Sequence, residues 1–385
     1  MNVDNQRLGD FMTSRRTKGK EGLPTLSVTL DRGLIRRDSL ERKTDTNLKA
    51  NEHLRVLPGD IAYNMMRMWQ GASGLAQTEA LVSPAYVVLA PKSNLDPLFA
   101  AYLFKTSRMI HYFWAYSYGL TNDRLRLYPN DALKVPVSIP SLTEQRKIAD
   151  ILSTWDRAIE TTEALLETAR KQKRALMQQL LTGKRRFPEF EGAEWQRVKI
   201  GDVVRLSKER FDPRTNHNSR ICIELEHIEG ETGRRLGSTA SKDQSSMKAV
   251  FGPGDVLFGK LRPYLRKFLA PDFVGVCSTE IWVLQPKGSE LLSAFLYYVV
   301  QSDSFMTEAE KSAGSKMPRA DWKVVSEYRF SLPQPTEQLR ISEVLAAADQ
   351  EIDRLNSKIE KFRTEKQALM QQLLSGKRRV IVDAE

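Results

Sequence analysis

Apolar residues recur at alternating steps of four and three along two stretches of this chain. The first runs Ile148, Leu152, Trp155, Ile159, Leu166, Ala169, Leu176 and Leu180, with Thr162 and Lys173 filling its two gaps. The second runs Ile341, Leu345, Ala348, Ile352, Leu355, Ile359, Phe362, Leu369 and Leu373, and its one gap is Lys366. A 3.5-residue period held for about five heptads predicts a coiled-coil seam rather than a one-sided surface helix. Each stretch carries start and stop signals. Ser141 with Glu144 has the spacing of a capping box, and Pro335 suits a first helical position. Gly183 and Gly376 stand where a left-handed cap is required. A helix over about 143–181 would be roughly 58 Å long.

The two stretches are copies. Between Pro140 and Phe187, 22 of 48 residues recur 193 positions later, including ALMQQLL-[ST]-GKRR at 175–186 and 368–379. Shorter matches extend the register backward: PGD at 58–60 and 253–255, PK at 91–92 and 286–287, and Leu8-Gly9-Asp10 against Ile200-Gly201-Asp202. The chain therefore reads as a tandem duplication. Its segments are a variable domain (1–140), a helix (141–183), a second variable domain (184–333), a second helix (334–376) and a tail (377–385). The second helix can pack on the first only by running back, which creates an internal pseudo-two-fold axis. A symmetric pair of partner subunits could then dock on one asymmetric chain. Gln178, Gln179, Gln371 and Gln372, facing outward in both copies, are the candidate docking residues.

Each variable domain mixes strands and helices in the same order. In the first, 61–66 and 85–90 read as strands and 98–114 as a helix. In the second, 255–261 and 279–285 read as strands and 290–302 as a helix. The fold class expected is α/β or α+β, twice, joined by two long antiparallel helices.

Charge adds a partner. Lys and Arg outnumber Asp and Glu by 59 to 48, a net charge of +11 that favours a polyanion, nucleic acid first. Basic residues cluster with aromatics in the variable domains. The candidates for DNA contact are Arg15, Arg16, Lys18 and Lys20, then Arg234 and Arg235. KLRPYLRK adds Lys260, Arg262, Tyr264, Arg266 and Lys267. Lys316 and Arg319 lie in a Gly-Ser-rich loop, and Arg124 matches Arg319 at an offset of 195. Lysine and arginine neutralise phosphates, and arginine reads guanine bidentately. The basic triplets 184–186 and 377–379 have two readings, charge at the negative end of a helix dipole or contact with phosphate.

Chemistry of other kinds is excluded by detail. GDVLFGK (254–260) matches the start of a phosphate loop, but Leu261 stands where the magnesium-binding hydroxyl belongs, and the stretch reads as a strand. His217, Cys222, His227 and Cys277 lack zinc-ligand spacing. No hydrolase elbow, zincin motif or dinucleotide fingerprint occurs, and neither does the N/D-P-P-Y/F of amino-methyltransferases. No catalytic or metal site is expected. With two cysteines, no apolar run of membrane-spanning length and no signal-peptide layout at the N-terminus, a cytoplasmic location is expected.

Taken together, the two P-x-x-T-E-Q starts (140–145 and 333–338), the two ALMQQLL-[ST]-GKRR ends and PGDVLFGKLRPYLRK (253–267) resemble the specificity subunit of a type I restriction–modification system. The resemblance covers the whole chain. It implies two target-recognition domains, each reading half of a split, asymmetric DNA site, with the helices as a ruler for the unread gap. It implies two methyltransferase subunits holding S-adenosylmethionine, and up to two restriction/translocase subunits using ATP and Mg2+. This chain would hold no cofactor. The resemblance also suggests that the first domain lacks a small edge element present before Ile200, or borrows it from the tail. A stand-alone DNA-binding regulator shares the charge and symmetry but leaves the doubled glutamines unexplained. A coiled-coil scaffold leaves the charge unexplained.

Overall fold

The computed structural model describes residues 6–40, 48–216, 218–311 and 317–381. Two 39-residue helices, Leu142–Leu180 and Pro335–Leu373, stand where the heptads place them. Gly183 and Gly376 follow with φ of +70° and +73°, the left-handed turn that ends each helix. Ser141 Oγ accepts the N–H of Glu144 at 3.4 Å, but the reciprocal half of the capping box is replaced. Both Glu144 carboxylate oxygens are held by Arg379 instead.

The chain divides into two compact units, residues 1–161 with 359–385, and residues 162–358. Each holds part of both long helices, and within each the helices run antiparallel. In the first unit, residues 144 and 156 face 379 and 366; in the second, 173 and 186 face 349 and 337.

The first unit is built on a four-stranded antiparallel sheet ordered Met12–Arg15, Tyr86–Pro91, Ile61–Asn64, Ser73–Leu75. Phe99, Leu103 and Phe113 from two helices bury into one core with Ile61, Tyr63 and Leu89 of the sheet. Ile148, Leu152 and Leu373 of the long helices, with Leu374 just beyond, complete that core. The single helix expected over 98–114 is two, Pro97–Phe104 and Ser107–Ala115. Thr106 breaks it by acting as an N-cap, its hydroxyl accepting from Met109 N.

The second unit repeats this plan with the order Val204–Leu206, Ile281–Pro286, Val256–Gly259, Phe268–Leu269. The phosphate-loop look-alike is therefore a buried strand. The helix expected over 290–302 is shorter, Ser293–Val299, and a second one, Asp303–Lys311, follows it. This unit also carries a five-stranded sheet in which only Ile221–Ile223 and Gly275–Ser278 pair in parallel. The dominance of antiparallel pairing makes both units α+β. At the edge, Gln196–Lys199 pairs with Arg329–Leu332. In the first unit the equivalent pairing among described residues is one bridge, Arg7 to Pro136, with Val137 N bonding Gln6 O. No described helix is long and apolar enough to cross a membrane.

Candidate functional site

The repeated motifs fold into repeated contacts. Glu337, 1% exposed at its side chain, takes Arg186 Nε and Nη2 at 2.8 and 2.7 Å and Trp195 Nε1 at 2.8 Å. Glu144 takes Arg379 in the same way. The last residue of each basic triplet, Arg186 or Arg379, thus grips the start of the other helix, a role outside both sequence readings. The neighbouring glutamine works locally. Gln145 accepts from Asp96 N and donates to the carbonyls of Asn94 and Pro140. Gln338 accepts from Leu292 N and donates to Glu290 and Pro333. Each amide seats the loop that leads into the first helix of its domain. The T-E-Q motif is therefore a joint between domain and long helix.

The polar gaps in the seams are also joints. Lys366 Nζ is paired with Asp156 Oδ1, while Tyr102 Oη donates to Asp156 Oδ2 at 2.5 Å. Lys173 Nζ meets Asp349 Oδ1 at 2.5 Å and Gln301 Oε1 at 2.9 Å, while Tyr298 Oη donates to Asp349 Oδ2 at 3.0 Å. Each ammonium also lies over its tyrosine ring, at 5.1 and 5.6 Å from the centroid. Burial and the adjacent aspartate raise the pKa of both tyrosines, so the hydroxyls stay protonated donors. Around these joints the expected seam is largely closed. Ile148, Leu152, Leu180, Ile341, Leu345, Ile352, Ile359 and Leu373 are buried. Trp155, Ile159, Leu176 and Leu369 are half-buried, Trp155 edge-on to Phe362 at 5.5 Å.

In the second unit the basic loops chosen from sequence are stitched together. Glu231 N bonds Arg266 O, Arg262 N bonds Pro318 O, and Leu261 bridges Arg319. Arg262, Arg266 and Glu231 are the three non-glycine residues with positive φ among the described residues, so the strain is concentrated at this junction. Arg266 is turned inward onto Gln301 O and Asp303, and Lys267 onto Leu225 O. Arg234 pairs with Glu229 and Arg319 with Glu280, while Arg235 stacks over Phe273 at 4.8 Å. Lys260 is half-buried, and its backbone bonds Glu280 O and Ala320 N. Arg262 and Tyr264 project outward, Tyr264 being 53% exposed beside exposed Leu265. Lys316 lies outside the described residues, as does His217.

In the first unit, Arg16, Lys18 and Lys20 are exposed on a loop tied to the Leu54–Val56 strand by Lys18–Leu54 and Arg55 N to Thr17 O. Arg15 turns back to Asp60 at 2.9 Å. Arg124 is exposed, but it is not the counterpart of Arg319. Leu127 N bonds Met65 O as Ala320 N bonds Lys260 O, so the repeat offset is 193 at this point and Arg126 is the match. Arg67 corresponds likewise to Arg262. Arg126 and Arg67 are both exposed, Arg126 pairing through its backbone with Tyr118; the 195 offset locates Arg67 and the local 193 offset Arg126.

Gln178, Gln179, Gln371 and Gln372 are all exposed. In the second unit Gln178 borders a cleft of ≈ 840 Å3, lined also by Arg174, Lys184, Glu231 and Tyr328. The thiols of Cys222 and Cys277 are buried and unbridged. No described cluster of His, Cys, Asp or Glu has the make-up of a metal site.

Comparison with known proteins gives one family. The sequence pattern described as "Type I restriction modification DNA specificity domain" matches residues 37–170 and again 192–361. The type I restriction enzyme MjaVIII specificity subunit of Methanocaldococcus jannaschii is 24% identical over 97% of this chain and 92% of its own length. The EcoDI specificity subunit of Escherichia coli is 26% identical over 64% of this chain and 63% of its own. Among solved structures, the S subunit of a type I restriction–modification system from M. genitalium superposes with a TM-score of 0.55 at 16% identity over 97% of both chains. A chain from work on complex assembly and conformational transition of the type I R-M system gives 0.56 at 17% over 96% of both.

Proposed function

The chain belongs to the type I restriction modification DNA specificity domain family and carries that domain twice; from this premise we infer that each copy reads one half of a bipartite, asymmetric DNA site. The protein is a DNA-recognition subunit rather than a catalyst. In this reading the long helices set the unread gap between the half-sites, and exposed Gln178, Gln179, Gln371 and Gln372 lie on the surface that docks two methyltransferase subunits. S-adenosylmethionine sits on those subunits. ATP and Mg2+ sit on restriction/translocase subunits, of which up to two join.

The observation that carries this reading is the duplication of the joints between domain and helix. The clamps at Glu144 and Glu337 use the same atoms, yet the loops they support differ in sequence. A frame held constant under two divergent surfaces suits a protein that reads two different half-sites in one geometry. Phosphate contacts from exposed Arg16, Lys18 and Lys20 would supply salt-dependent affinity. Arg262 and Tyr264, at the tip of the strained turn, are placed for base edges. The adenine to be methylated must leave the stack to reach the partner's active site, so this chain holds the duplex for a step performed elsewhere.

Mapping methylated adenines in DNA from the source cell, with and without this chain, tests the reading. The expected result is a split motif that vanishes when the chain is deleted. Methylation by the purified chain with S-adenosylmethionine alone would overturn it, as would a motif untouched by the deletion.

A further inference from the structure

We propose that Lys366–Asp156–Tyr102 and Lys173–Asp349–Tyr298 are register keys: positioning residues that fix each recognition domain to its stretch of the helix pair and so set the length of the unread gap. The proposal rests on the recognition role inferred above and adds the residues that make the ruler rigid.

The seam alone is a poor ruler. It is built from Leu, Ile, Ala, Phe and Trp, and apolar knobs accept one another after a slide of one heptad. The lysines do not. A one-heptad slide in one direction would set Lys366 against Ala149 and Lys173 against Ser342, both of which are buried in the native register. Neither can neutralise an ammonium, which costs more for Lys173, 9% exposed at its side chain, than for Lys366 at 19%. A single buried polar residue in a coiled-coil seam is the best-attested device for specifying register.

The third residue couples this register to the domain. In both copies the aspartate divides its oxygens, Oδ1 to the lysine of the facing helix and Oδ2 to a tyrosine on the first helix of the recognition domain. Sliding the long helices or rocking the domain breaks one side of the same carboxylate. The copies arrive at this arrangement from different spacings. The lysines and aspartates recur at an offset of 193, but the tyrosines at 196, so the intervening chain changed length by three residues and the contact persisted. Apolar replacements of similar volume generally hold such a site together as well as an ion pair does. What the charged set contributes is one arrangement out of several.

The test uses the full chain, co-expressed with its methyltransferase subunit, and reads gap lengths by methylated-adenine sequencing. Wild type is expected to methylate one gap length. Asp156→Leu with Lys366→Met, and Asp349→Leu with Lys173→Met, are expected to methylate a flanking gap length too, the preference for the native gap falling about tenfold, or about 1.4 kcal/mol. Tyr102→Phe, which removes only the hydroxyl, should lie between. A merely structural role lowers methylation at every site and leaves the gap preference unchanged, and that outcome overturns the proposal. If the apolar variants abolish methylation, the exchanged pair Asp156→Lys with Lys366→Asp decides. Return of single-gap methylation supports the key, and failure to return overturns it. A wild-type complex with no split motif refutes instead the recognition role on which the keys depend.

Discussion

Arg186 closes with two parallel hydrogen bonds on Glu337, 151 residues further along the chain, beneath the ring of Trp195. Glu337 is buried, and the Arg186 side chain is only 18% exposed. Arg186→Ala leaves a carboxylate in a dry site with Trp195 Nε1 as its remaining partner. The expected cost is about 3 kcal/mol, read as a lower urea midpoint. Its twin, Arg379, is 71% exposed at the side chain, so water can take its place at Glu144, itself 4% exposed, and Arg379→Ala should cost less. Equal losses would mean that burial does not govern the clamp.

The two cysteines make a chemical prediction. Burial first, and then the nearby Glu224, push the Cys222 thiol up to about 11; burial raises Cys277 as well, with Cys222 adding to it. A raised thiol pKa keeps the unreactive protonated form at ordinary pH. At pH 8 the thiolate fraction of Cys222 is on the order of one in a thousand. Native protein should therefore resist alkylation by iodoacetamide, and urea should expose both thiols. Rapid labelling of folded protein would contradict this placement.

Binding should separate affinity from sequence choice. Lys18→Ala is expected to weaken cognate and unrelated duplexes alike and to reduce the slope of log affinity against log salt by about 1. Arg262→Ala should instead relax one position of the half-site read by the second domain, by about 1–3 kcal/mol. Titrations of both variants over a salt series check this. The assignment fails if Lys18→Ala changes the preferred sequence.

Length should convert into base pairs. Four residues inserted near Thr161 add about 6 Å of helix, roughly two base-pair steps. Methylation mapping should show a longer gap between unchanged half-sites, or loss of methylation. An unchanged gap would refute the ruler.

The long helices were legible to within three residues because a 3.5 period over 39 residues leaves little alternative. The break at Thr106 was not, because 98–114 is apolar enough to read as one helix and only the cap at Met109 N reveals two. T-E-Q and G-K-R-R stood out as motifs, yet their partnership across more than 150 residues becomes visible only once the chain folds back. Lys173 and Lys366 were noted as interruptions; no periodicity points to an aspartate on the facing helix. The five-stranded sheet of the second unit was missed because its strands are two to four residues long, too short for alternation to register. Arg67 and Arg126 stand outside the charge clusters; the repeat locates Arg67 at an offset of 195 and Arg126 at the local offset of 193.

The core of the first unit includes Leu373 and Leu374, with Val380 packed against it, and its clamp waits for Arg379. The second unit is assembled wholly from residues 162–358. During synthesis, therefore, the first unit begins before the second and is completed after it. Its apolar helix face stays uncovered until Leu373, Leu374 and Val380 emerge, and any chaperone that shields nascent chains has a longer task at this unit than at the second.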